Sequence, residues 1–349
     1  MEALTVQPGV AGSVRLEHAP EPAKSGLLVD TLLVGVCGTD AEIVAGEYGT
    51  APPGRERLIL GHECVGRVVD APKSRTLEPG DLVVPMVRRP DPVPCPSCAV
   101  GEWDMCQNGL FTEHGIKQAD GFARGRFEIE EDRLVPVAAT LGDLAVLVEP
   151  ASVVAKAWEQ IERIGARASW SPSRVLITGA GPVGLLAALL ARQREYEVAV
   201  LDRVTTGPKP GLVSDLGAKY HVGPVEEAIA SPDIVVECTG VGSLVFECIA
   251  VSGPNAVVCL TGISTGGRTL DIDAASVNRR MVLENDVVVG SVNANRRHYE
   301  AAVAALAEAD PAWLGRLITR RVPVTHWAEA FGKQTEDVKV VLDFGRRDG

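Results

Sequence analysis

Short apolar runs divided by Gly, Pro and polar clusters fill the first 150 residues. Runs at 27–36, 64–69 and 81–84 carry β-type residues between turn signals, which predicts an all-β, barrel-like domain. From Arg174 the pattern changes. Apolar strands at 175–178, 198–201, 234–238, 257–260 and 287–289 alternate with helical patterns starting at Pro182, near Leu212, at Ser243 and at Ala274. Regular β-α alternation implies a parallel, doubly wound sheet. The fold class is therefore α/β, with a β-barrel domain ahead of a doubly wound one. After a helix at 298–308, the β-type segment 317–324 and the final run 339–344 look like a return to the first domain. The acidic stretch 128–132 reads as a solvated loop, and no internal repeat is visible.

Composition narrows the ligand. The 349 residues suit two domains, and 46% hydrophobic with 23% charged residues is ordinary globular usage. Thirty-four Lys and Arg against 46 Asp and Glu leave a net charge of −12. A surface that acidic repels phosphate backbones and anionic lipid, so neither nucleic acid nor a membrane is an expected partner. A small molecule is. The first ten residues lack the basic start and apolar run of a signal peptide, and the uncharged stretch 175–191 is broken by Gly179, Gly181, Pro182 and Gly184. The expected location is the cytoplasm. The apolar strand at 287–289 suits pairing across a subunit interface, so the expected state is a homo-oligomer, dimer or tetramer.

One motif carries its own structural context. Gly179-Ala180-Gly181-Pro182-Val183-Gly184 follows a predicted strand and opens a predicted helix. Gly179 permits a tight turn, Gly181 lets backbone approach a pyrophosphate, and Gly184 lets the helix pack close to the sheet. Asp202, eighteen residues past Gly184, ends the second strand. A carboxylate there accepts ribose hydroxyls and repels a 2′-phosphate, which favours NAD over NADP. Arg203 beside it could stack on adenine or bind that phosphate.

A second constellation precedes it: Cys37-Gly38-Thr39-Asp40, Gly61-His62-Glu63 and Glu149-Pro150. One thiolate, one imidazole and carboxylates from separate loops suit a tetrahedral zinc with an exchangeable position. Taken singly, Cys37 reads as a packed thiol, His62 as a hydrogen-bonded core imidazole and Glu63 as a surface charge. Their ordered occurrence ahead of a dinucleotide fold favours the metal. The cluster Cys95-Pro96-Ser97-Cys98 with Cys106 suits a structural zinc knuckle that needs a fourth ligand. Asp91 could fill that place; otherwise the lobe is metal-free with reduced thiols.

With these residues the chain resembles the zinc-dependent medium-chain dehydrogenases, and within them the glucose dehydrogenases. The wider resemblance rests on Gly61-His62-Glu63-Cys64-Val65-Gly66, Pro79-Gly80-Asp81-Leu82-Val83 and the glycine-rich turn. The narrower one rests on Arg88-Arg89-Pro90, Phe111-Thr112-Glu113-His114-Gly115-Ile116, Asp120-Gly121-Phe122, Glu149-Pro150 and Gly290-Ser291-Val292-Asn293. The resemblance implies a GroES-like catalytic domain over residues 1–157, completed by 294–349, and a Rossmann domain over 158–293. It implies that Cys37, His62, Glu63 and Glu149 hold a catalytic zinc and that Thr39 lies in the proton path and touches substrate. Glu113, Glu149 and Asn293 would hydrogen-bond sugar hydroxyls. Thr239, Thr261, Gly262, Ile263, Ser291, Val292 and Asn293 would line NAD or NADP, with Pro182 and Val183 at its phosphates.

The implied reaction is oxidation of an aldose at C1 to the aldonolactone. A polyol, aminocyclitol or secondary-alcohol dehydrogenase, a zinc-free reductase and a non-catalytic nucleotide-binding protein are the alternatives. Four positions depart from the family pattern. Pro92 stands where its first lobe cysteine falls, Val87 and Val153 where some relatives have Asn and Asp, and Asp202 where NADP-preferring relatives have Asn.

Overall fold

The computed structural model describes residues 1–22, 26–72, 74–264, 266, 269–332 and 334–345. Two compact units emerge, Met1–Ser152 with Ala294–Gly349, and Val153–Asn293. The division falls after Ser152, inside the helix Val148–Gly165, rather than after residue 157.

The first unit is built on a seven-stranded sheet whose central strand is Leu27–Val36. Seven of its ten residues are buried and the other three partly so, with neighbouring strands flanking it on both edges, which is why its sequence is a near-continuous apolar run. Glu63–Asp70 pairs with it antiparallel, placing Glu63 opposite Gly35. On its other edge Lys339–Asp343 pairs antiparallel, placing Val340 opposite Val36, and also runs parallel to Ile318–Pro323. The core beneath includes Leu4, Val29, Val34, Phe122 and Phe127. The return of the chain's end thus brings Lys339 beside the end of the central strand.

The β-segment expected at 317–324 forms as the strand Ile318–Pro323, directly after a helix Pro311–Leu317 that Asp310 caps through Ala312 N at 2.9 Å. One expectation needs correction here: 128–132 is not a solvated loop. Glu128 sits in the strand Arg126–Ile129, Glu130 pairs with Arg89 at 2.6 Å, and Glu131 accepts from Ser74 Oγ at 3.1 Å and Thr76 Oγ1 at 2.7 Å. Its charges are spent on local partners.

The second unit is a six-stranded parallel sheet in the order Lys219–His221, Glu197–Leu201, Arg174–Thr178, Ile234–Glu237, Val257–Leu260, Val287–Gly290. Strand order reverses at Arg174–Thr178, the place where an open α/β sheet opens a crevice for ligand. The short strand Lys219–His221 has little apolar signal and was not expected. The helix Pro182–Gln193 is buried from Gly184 to Ala191, which explains why it is apolar on all sides. Among the described residues no helix is long and apolar enough to cross a membrane.

Candidate active site and nucleotide turn

The helix Gly38–Val44 is capped by Cys37, and Asp40 returns the favour: its Oδ2 accepts from Cys37 N at 3.0 Å. This reciprocal cap fixes both the thiol and the carboxylate. His62, buried, places Nε2 3.1 Å from Cys37 Sγ and Nδ1 3.4 Å from Asp40 Oδ1. Neither that Nδ1 nor that Oδ1 has another partner. Ligand atoms of Cys37, Asp40 and His62 lie within 4.8 Å of one another, as do those of His62, Glu63 and Glu149.

The donor set fits zinc. Bond lengths near 2.3 Å for sulfur and 2.0 Å for nitrogen put tetrahedral S and N donors about 3.5 Å apart, close to the observed separation. Asp40 faces the far nitrogen of the imidazole, the arrangement that fixes a metal-binding histidine's tautomer. Charge points the same way. Burial pushes the Glu149 carboxyl up to about 7, with His62 pulling it back and Glu63 adding to the rise. The pocket holds more acid than its own cations satisfy, which a divalent ion relieves.

Glu63 has a second attachment. Its Oε2 forms a buried ion pair with Lys339 Nζ, which also donates to Val36 O at 3.3 Å. Asp40 and Lys339 belong to the site and were missed in the sequence. Asp40 stood in the quoted motif with a helix-starting position as its signal; Lys339, nearly three hundred residues from Glu63, had none.

The glycine-rich turn matches each of its three demands. Gly179 has φ +86°, a Cβ on Gly184 would overlap Gly179 O, and a Cβ on Gly181 would meet nothing. The open space at Gly181 and the uncapped N-terminus of the helix Pro182–Gln193 form a cradle of the kind a pyrophosphate fills. Asp202 behaves differently from expectation: Oδ2 accepts from Ala180 N at 2.7 Å and Lys209 Nζ at 3.2 Å, and Oδ1 from Val204 N at 3.0 Å. Burial pushes its carboxyl up, and these donors outweigh that and hold it below the usual range.

Comparison with known proteins gives the family. The model of the glucose dehydrogenase C-terminus matches residues 142–344, and that of the alcohol dehydrogenase GroES-like domain matches 23–139. The glucose 1-dehydrogenase of Thermoproteus tenax is 42% identical over 98% of this chain and 99% of its own. That of Methanocella arvoryzae is 37% identical over 99% and 100%. The Haloferax mediterranei glucose dehydrogenase in complex with NADP, Zn and gluconolactone superposes with a TM-score of 0.91 at 32% identity, covering 99% of this chain and 100% of that one.

The chain belongs to the glucose dehydrogenase family. It is an NAD(P)-dependent zinc dehydrogenase.

Three of the other expected positions, Thr239, Thr261 and Gly262, are held by a buried carboxylate that the sequence did not single out. Glu237, fully buried at a strand end, accepts from Thr178 Oγ1 at 3.1 Å, Thr239 N at 2.7 Å, Thr239 Oγ1, and Gly240 N at 3.1 Å. Its carbonyl accepts from Thr261 N at 2.8 Å and Gly262 N at 3.0 Å. One residue thereby orders the turn at Thr239 and the loop at Thr261-Gly262, while Ser291 N is held by Leu260 O at 2.9 Å. Ile263 and Val292 are exposed, Ser291 is buried, and Lys156 donates to Val292 O at 2.9 Å. Asn293 has φ +63°, a conformation Asn tolerates better than most residues.

Glu113 is buried in an ion pair. Its Oε1 accepts from Arg88 Nη2 at 2.9 Å and Nε at 3.1 Å, and the guanidinium lies 3.7 Å over the Phe111 ring. The position is held rigidly, with one oxygen committed to Arg88.

In this glucose dehydrogenase family member the cysteine lobe gathers three thiols and leaves Asp91 out. Cys95, Cys98 and Cys106 place their sulfurs within 4.8 Å of one another. Cys95 Sγ accepts from Cys98 N and Gln107 N, both at 3.4 Å, and these N–H groups pull its thiol down to about 6. Asp91 is not in the set. Its Oδ1 closes a short turn on Val93 N at 2.7 Å, while its buried Oδ2 has no hydrogen-bond partner.

Proposed function

We propose that this protein oxidises the C1 hydroxyl of a glucose-type aldopyranose to the aldonolactone, with hydride passing to NAD(P)+. The observation that carries the reading is that Cys37 on one hand, and Glu63 with Glu149 on the other, converge on His62 in a chain of this family. Zinc held there supplies Lewis acidity toward a hydroxyl oxygen. The chain's own residues do the rest. Asp40 orients His62, Lys339 holds Glu63, and Thr39, half-buried in the first turn after Cys37, carries the departing proton outward. Glu113 and Asn293 hydrogen-bond sugar hydroxyls, so an analogue lacking the matching hydroxyl forfeits those bonds and is discriminated against.

Initial rates on a panel of hexoses, polyols and secondary alcohols with NAD+ and with NADP+ test this. Glucose or a close epimer should lead the panel with lactone as product, and Cys37→Ala and His62→Ala should fold normally and lose turnover. A polyol or secondary alcohol leading the panel would overturn the substrate assignment; a near-wild-type rate in either mutant would overturn the zinc mechanism.

The same reading extends to assembly. Val287–Gly290 is an edge strand, half-buried at Val287, Val288 and Val289, with Val282 and Leu283 exposed on the preceding helix. An apolar free edge is suited to pairing with a second copy, and a monomer in sedimentation equilibrium would refute it.

A further inference from the structure

The end of the second strand of the parallel sheet carries a charge arrangement its sequence does not announce. A carboxylate at the place of Asp202 is expected to accept both ribose hydroxyls of a dinucleotide and to exclude a 2′-phosphate. An ionised carboxylate offers about four lone-pair positions. Ala180 N, Val204 N and Lys209 Nζ take three of them at Asp202. A two-hydroxyl clamp therefore conflicts with Lys209, and the negative charge that would repel a phosphate is already paired.

Lys209 is held in this place by the fold. Gly207, at φ +82°, and Pro208 turn the chain into the helix Pro208–Asp215, with Lys209 in its first turn. The lysine side chain is only 14% exposed and the Asp202 side chain 9%. Tyr220 pins the intervening loop by donating to Val204 O at 2.6 Å. An ammonium has three donors, so Lys209 can keep its bond to Asp202 and offer another to a phosphate oxygen.

We propose that Lys209 is the residue that sets cofactor choice: paired with Asp202, it cancels the repulsion of a 2′-phosphate and supplies a cation for it, so the site takes NADP as well as NAD. The proposal rests on the glycine-rich turn being the dinucleotide site. Arg203, exposed at the same strand end, is the rival cation.

Calorimetric titration of the full-length protein with adenosine 2′,5′-bisphosphate and with 5′-AMP separates the possibilities. Wild type should bind the bisphosphate at least as tightly as AMP. Lys209→Met should weaken the bisphosphate by about tenfold or more, and AMP by less than about threefold, since only the phosphate-specific charge contact is lost. Lys209→Arg, which keeps the charge, should retain most of the bisphosphate affinity and guards against a folding artefact. An unchanged bisphosphate-to-AMP ratio in Lys209→Met, or a loss carried by Arg203→Met alone, would overturn the assignment to Lys209. Failure of wild type to bind either fragment would overturn the dinucleotide reading beneath it.

Discussion

Lys339 and Glu63 join over Gly35. They sit on the two strands that flank Leu27–Val36, and the missing side chain of Gly35 is what lets the Glu63 carboxylate reach the ammonium; a Cβ there would overlap it. The pair holds a metal-site carboxylate in one place, and neither partner is near the other in sequence.

Removing one partner leaves an uncompensated buried charge. Lys339→Met should destabilise by about 3–5 kcal/mol and lower the thermal midpoint by at least about 6 °C, while Lys339→Met with Glu63→Gln should recover much of it. Gly35→Ala pushes the carboxylate away from the same lysine, so its cost and that of Lys339→Met should fall short of adding. Additivity in a double-mutant cycle would show that the contact over Gly35 is not what couples them.

Asp40 faces His62 Nδ1 and caps the helix that begins after Cys37. Replacing it with Asn removes the carboxylate that supports the imidazole, and losses of this kind weaken metal binding by about 10–100-fold. Zinc affinity of Asp40→Asn, measured by competition with a chromogenic chelator, should drop within that range with the far-UV spectrum preserved. Unaltered affinity would make Asp40 a helix cap and nothing more.

In the cysteine lobe, three thiols converge without Asp91. We expect about one zinc per chain after dialysis against a mild chelator, unaffected by Cys98→Ser, because a closed structural site needs four ligands. Two zinc ions falling to one in Cys98→Ser would reveal a fourth ligand outside the thiols.

His114 gives a pH dependence of definite sign. Its Nδ1–H donates to Asp120 O at 2.7 Å, its Nε2 accepts from Arg89 Nε at 3.0 Å, and the ring packs 4.8 Å from Phe122. Burial, and then the Arg89 charge, push its pKa down to about 4 from an ordinary 6.5. The unfolded chain therefore binds the proton first as pH falls. Stability should be lost between roughly pH 6.5 and 4, by at most about 3 kcal/mol from this group, and be fully present above that window. His114→Gln, which keeps a donor and an acceptor but gains no proton there, should flatten the slope of urea-unfolding stability against pH. An identical slope would exclude His114 as its source.

The sequence by itself determined the β-α alternation, the glycine-rich turn and the ordered Cys37, His62 and Glu149. Periodicity and backbone demands are local: Gly179 must take a positive φ and Gly184 must give way to a carbonyl wherever the rest of the chain lies. Tertiary structure alone decided who neutralises whom. Lys339 reaches Glu63 only because the last strand pairs beside the first long one. Asp202 pairs with Lys209 because a turn at Gly207 brings an ammonium back onto it. Asp91 gives one oxygen to its own turn and keeps the other buried and unpartnered. Electrostatic pairing depends on distances of a few ångströms that the folded backbone sets, whether the partners are two residues apart or nearly three hundred, and hydrophobic periodicity does not encode them.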